Sequence, residues 1–216
     1  QQPHYCGTSP ETPWFDHYMS NRDDYQFEIP EEPIYITLTV HVLGDDNGNG
    51  YFLKSQVFDA ICRLNLDFEA TNIQFFLEDE INFINNTTWY DHEEYPDGYD
   101  MMNSNNIDGT VNCYIVSNPA GNCGYYAPAG DAVALSKSCM SPNDHTWAHE
   151  LGHFFSLPHT FRGWEGIDYD ASVPTSTYRS QISRGIESLD GSDCNSSGDR
   201  FCDKPPDYLS FRWPCE

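Results

Sequence analysis

The chain has 216 residues with a hydrophobic content of 38%, enough for one buried domain or two small lobes about a cleft. Its formal net charge of -24 arises from 34 acidic against 10 basic side chains, which excludes a phosphate-tracking nucleic-acid binder. No run approaches the roughly 18 apolar residues of a membrane span, so no membrane partner is expected.

Eight cysteines with no CxxC pair point to disulfides rather than a cysteine-built metal site. Cys194 and Cys202 bracket one polar loop and Cys113 and Cys123 another, but spacing alone leaves the pairing open. The chain begins at Gln1, and an export signal removed just before it fits an extracellular, secreted protein.

In chain order, residues 1–33 are polar, aromatic and Pro-studded without sustained periodicity, and read as an irregular arm or short prosegment. The alternating run 34–43 predicts a strand, which stops at the turn-forming loop 44–50. That loop is oxygen-rich but reads as a plain surface turn. Val57, Ile61, Leu64 and Phe68 recur at helical spacing. Strands follow at 73–77, 111–116 and 132–135, so the α+β class is expected, with a mixed sheet backed by one helix. Beyond residue 159 the chain reads as loops.

Residues 141–159 read SPNDHTWAHELGHFFSLPH. Ser141 as N-cap, Pro142 at the first helical position and Asp144 in an S-x-x-D pattern start a helix there. On that helix His149 and His153, four apart, project from one face and can both reach a zinc ion. Glu150 is offset, able to touch a water on the metal without ligating it. Chance alone produces H-E-x-x-H in about one such chain in fifty, and a third histidine at His159 reduces that to below roughly one in a thousand. Three histidines leave a fourth position open, the pattern of a catalytic rather than a structural site. His145, one turn upstream, reads as a capping or surface residue. His4, His17, His41 and His92 have no partner spacing. A thermolysin-like alternative would take Glu165 or Glu187 as third ligand.

HELGHFFSLPH resembles the long metzincin motif, and the chain is similar more specifically to the pappalysin family of metzincins. Thr160-Phe161 after the third histidine, Leu64-Asn65-Leu66-Asp67-Phe68, and the loop Gly198-Asp199-Arg200-Phe201-Cys202-Asp203-Lys204-Pro205-Pro206-Asp207 carry the resemblance, with Lys204 where threonine is usual. It implies a metzincin-like α+β fold. The parts would be an arm at 1–33, an upper subdomain at 34–156 with a mixed twisted sheet, backing helix and active-site helix, and a small irregular lower subdomain at 157–216. It also implies a zinc endopeptidase acting on proteins or peptides, with Glu150 as general base, and calcium (Ca2+) beside Zn2+. Asp199 and Asp203 are the calcium candidates, or simply a solvated acidic loop.

Two departures stand out. Ser156 replaces the usual glycine and must enter positive φ at some cost. The methionines, 19, 101, 102 and 140, all precede His149, so the family's Met-turn is missing; a truncated product or a divergent site is expected. Cys6-Gly7-Thr8 resembles a prosegment motif whose thiolate caps zinc in a latent state. The alternative is a disulfide that ties down the arm. Asn85, Asn86 and Asn195 begin N-x-[ST] sequons. The competing functional expectation is an inactive or latent zinc- and calcium-stabilised binding domain.

Overall fold

The computed structural model describes residues 4–8, 13–25, 29–163, 172, 185–188 and 190–207. Its chain divides into two compact units, Gln1–Ser156 and Leu157–Glu216.

The first unit contains, in order, β1 (His4–Cys6), α1 (Pro13–Ser20), β2 (Ile34–Gly44), α2 (Lys54–Asp67), β3 (Ile73–Leu77), β4 (Asn82–Asn85), α3 (Thr87–Tyr90), β5 (Asp91–His92), α4 (Tyr95–Asn105), β6 (Val111–Val116), β7 (Asn118–Pro119), β8 (Asn122–Ala127), β9 (Ala132–Ser136) and α5 (Thr146–Phe154). Seven strands form the main sheet in the order β1-β8-β9-β6-β2-β3, with β4 also on β2. Pairing is parallel from β9 to β3, antiparallel between β8 and β9, and parallel again between β1 and β8. This is the mixed sheet of an α+β fold.

Side chains alternate between two buried faces with the period of a strand. Leu38, Val40, Val42, Val111, Cys113, Ile115, Val133 and Leu135 pack with α2 and with Trp147 and Leu151 of α5. Leu43, Tyr114, Val116, Ala132 and Ala134 face the other way, onto Met101 and Met102 of α4. Helix α5, packed on one face of the sheet, therefore has its register set by Leu151 and Trp147. Those two point into the core and leave the opposite side of the turn to the histidines.

Several expectations change. The arm is not wholly irregular: β1 adds to the sheet edge and Pro13–Ser20 is helical, with Phe15 buried. Helix α5 begins at Thr146, not at Ser141, because the Asp144 carboxylate takes the Thr146 N–H at 2.9 Å while the Asp144 N–H closes a turn on Ser141 O. Sheet and helix gain β8 and α4, whose sequences carry glycine and asparagine in place of an aliphatic pattern. Loop 44–50 is indeed a turn, closed by Asp45 Oδ1 accepting the Asn47 and Asn49 N–H groups at 2.9 and 2.8 Å. Cys123 pairs with Cys139, not with Cys113, which is buried and free, while Cys194 pairs with Cys202. No described helix is long and apolar enough to cross a membrane.

In the second unit the described residues form turns and extended segments. The Cys194–Cys202 disulfide closes one loop, Gly198 N–H donates to Gly185 O at 2.6 Å, and Thr160 Oγ1 donates to Asp207 Oδ2 at 2.8 Å.

Candidate active site

Two helical turns of α5 present His149 and His153 on one side. Their Nε2 atoms lie 3.1 Å apart, with rings crossed at 88°. Two nitrogens bound at 2.0–2.1 Å to one tetrahedral ion would be roughly 3.3 Å apart, so the pair already has the spacing of a shared metal. Cys6 Sγ and these imidazole nitrogens all lie within 4.8 Å of one another. Cys6 is a free thiol, which removes the alternative of a disulfide anchoring the arm through it. Burial first, then neighbouring Glu150, pushes that thiol well above its usual range.

Glu150 is fully buried between helix and sheet edge. Gly124 makes the room: a Cβ there would lie 2.8 Å from Glu150 Cγ and 3.0 Å from Oε1. Burial pushes the Glu150 carboxyl up to about 8, against hydrogen bonds from Thr8, Cys6 and the Tyr126 backbone that pull the other way. Thr8 Oγ1 donates to Glu150 Oε2 at 2.9 Å and accepts the Tyr126 N–H at 2.7 Å. Cys6 Sγ approaches the same oxygen at 3.6 Å. Between them, Gly7 N–H donates to Gly124 O at 3.0 Å and Tyr95 donates to Gly7 O at 3.1 Å. A Cβ on Gly7 would fall 2.3 Å from the Tyr95 hydroxyl and 2.6 Å from Asn122 Nδ2, so only glycine fits. The arm therefore lies along β8 as an added strand, with its cysteine and threonine over the histidines and glutamate.

Tyr95 and Gly124 escaped the sequence reading, as did the contact of Thr8 with Glu150. Gly124 carried a signal, since a lone glycine inside a strand marks a close approach. Tyr95 carried none.

His145 does not join the histidine pair: its Nδ1 is 3.0 Å from both oxygens of Asp67, which also binds Arg63, so it ties the start of α5 to the end of α2. His41 and His92 are buried structural residues, bonded to Asn112 at 3.1 Å and to the Tyr125 hydroxyl at 3.0 Å. Ser156 sits at φ 70°, with its N–H on His153 O at 2.8 Å, so serine does adopt the left-handed turn that ends the motif helix.

In the second unit His159 stacks on Phe161 with centroids 4.6 Å apart. Glu165 lies outside the described residues. Glu187 is buried in the second unit beside Gly198. Asp199 and Asp203 are not arranged as free oxygen donors. Lys204 Nζ lies 2.6 Å from Asp199 Oδ2 and 3.3 Å from Asp203 Oδ1.

No known family model matches the chain. A curated relative, an extracellular metalloprotease of Verticillium alfalfae, is 28% identical over 156 residues, covering 62% of this chain and 55% of the relative. The chain thus spans about half the length of that relative. Among solved structures, a promirolysin variant of Tannerella forsythia aligns with TM-score 0.56 at 18% identity, over 79% of this chain and 76% of that one. Mirolysin in complex with an added compound aligns with TM-score 0.50 at 21% identity, over 67% and 72%. The fold is shared: an α+β fold with α5 against a mixed sheet.

Proposed function

We propose that this chain is a secreted zinc endopeptidase of the metzincin type, close to the pappalysins, caught with its own arm in the active-site groove. The observation that carries the reading is the 3.1 Å approach of the His149 and His153 Nε2 atoms beside a fully buried Glu150. The extracellular metalloprotease relative supports the same class and compartment. In this reading His159, six residues past His153, completes the ligand set. Zinc bound there would polarise a peptide carbonyl and acidify a water. Glu150 takes the proton of the attacking water on its carboxylate and hands it to the departing amine of the substrate. Gly124 and the rest of β8 offer backbone groups to an extended peptide, as they do here to Cys6 and Gly7. The substrate is therefore a protein or peptide strand.

The arm accounts for a latent state. A Cys6 thiolate would compete with water for a metal held there, and Thr8 engages the oxygen of Glu150 that must accept a proton. A positive ion at the histidines would supply the counter-charge that lets a buried thiol ionise. Residues up to Thr8 thus act as an inhibitory prosegment. Zinc is the only cofactor in this reading, because the donors around Asp199 and Asp203 do not fit calcium.

The test is cleavage of a mixed peptide library by zinc-loaded chain, Glu150→Ala and Cys6→Ala, with zinc content measured in each. Glu150→Ala should keep its zinc and lose activity by about 10²–10⁴-fold, and Cys6→Ala should cleave faster than the parent. Undiminished zinc in His159→Ala would remove that residue from the ligand set. Zinc bound by all variants with no cleavage by any, even after the arm is cut away, would leave a metal-stabilised binding domain.

A further inference from the structure

The loop from Cys194 to Asp207 holds a buried carboxylate, Asp199, at 2% exposure. A buried carboxylate without a counter-charge is costly, and removing one partner of such a pair costs more than the pair contributes. Here both oxygens are engaged. Asp199 Oδ1 accepts the Phe201 N–H at 2.9 Å, and Oδ2 takes the Lys204 ammonium at 2.6 Å. The same ammonium reaches Asp203 Oδ1 at 3.3 Å and stands 5.3 Å from the centre of the Phe201 ring.

We propose that Lys204 is a tethered cation that neutralises this loop in place of calcium, so that the second unit needs no divalent ion at Asp199 and Asp203. Three observations support it. First, calcium gathers six to eight oxygens at 2.3–2.6 Å, whereas the two nominated carboxylates converge on one nitrogen. An incoming ion would have to displace an ammonium fixed to its own chain. Second, the neighbouring Asp193 Oδ1 is already engaged, accepting the Ser188 N–H at 2.7 Å. Third, the cation is held locally. Lys204 is next to Asp203 and two residues past the Cys194–Cys202 disulfide, and Pro205 and Pro206 restrict the backbone that carries it. Burial alone would lower the Lys204 ammonium's pKa, but Asp199 and Asp203 reverse this and hold it above its ordinary value. An Arg or Lys at this position is therefore what makes the loop independent of calcium. The inference does not rest on the proposed peptidase activity.

Calcium calorimetry and thermal melts of the zinc-loaded full chain in calcium-free buffer test it. The wild type should show no saturable calcium binding tighter than about 1 mM and the same melting temperature with and without the ion. Lys204→Met should melt lower, and Lys204→Arg should recover most of the loss. If Lys204→Met does not fold, the double variant Lys204→Met with Asp199→Asn, which removes both charges together, should fold again; its failure would overturn the pairing. Saturable calcium binding by the wild type that disappears in Asp199→Asn would also overturn the proposal. So would a Lys204→Met chain as stable as the wild type.

Discussion

The two units solve the same stability problem by different means. The first buries two apolar layers, one on each face of a seven-stranded sheet. The second has no helix or strand among its described residues, and Ile186 is the buried large apolar side chain described there. Its described contacts include a disulfide, the Asp199–Lys204 pair and side-chain closures of turns. Where burial is plentiful, order follows from hydrophobic period; where it is scarce, cross-links and fixed charges take over.

The largest effects that would sharpen this contrast fall in the first unit's core. Leu135→Ala, at a fully buried position, should cost about 2–5 kcal/mol and accelerate amide exchange in β6 and β9. Cys194→Ser with Cys202→Ser opens a cross-link spanning 8 residues and should cost the second unit about 2.5 kcal/mol. Its exchange signature should be confined to the second unit. If opening that disulfide also exposed the amides of β6, the division would be broken.

A smaller effect is set by pH. Burial lowers the pKa of His41 and His92 below their ordinary 6.5, against opposing hydrogen bonds and, for His92, nearby Asp97 and Asp91. Both therefore stay neutral in the folded chain while the unfolded chain takes up protons. Their contribution is complete above 6.5 and is lost as pH falls through and below it. The slope reaches about 1.4 kcal/mol per pH unit for each histidine. Urea unfolding at about pH 7.5 and about pH 5.5 should show it, and His41→Gln should flatten the slope. The smallest change expected is at Ser156. Glycine relieves the φ of 70° but adds freedom to the unfolded chain, so Ser156→Gly should raise stability by up to about 1 kcal/mol in thermal melts.

Legibility in the sequence follows the same divide. β2, α2, β3, β6 and β9 were readable because Val, Ile and Leu recur with period two or with helical spacing. β8 was not, because Asn122, Gly124 and Tyr125 serve close packing against Glu150 and His92 rather than alternation. α4 was hidden by Pro96, Asp97 and Gly98; Gly98 is required because a Cβ would strike the Tyr125 hydroxyl. At the site, His149, Glu150 and His153 were legible because a helix converts a four-residue spacing into one face. The threonine on Glu150 was not, because 142 residues separate the partners and nothing local encodes the contact. Lys204 was visible as a departure at one position, but its consequence appeared only once its ammonium was seen on Asp199.

Residues 4–8 and the groove beside β8 belong to one chain, joined through the residues between 8 and 34. The arm's grip on the site is therefore a unimolecular equilibrium, with a local concentration fixed by that tether. Diluting the protein does not weaken it. A single cut between residues 8 and 34 changes the order of the reaction: the same five residues become a separate ligand, and their hold then falls with every dilution.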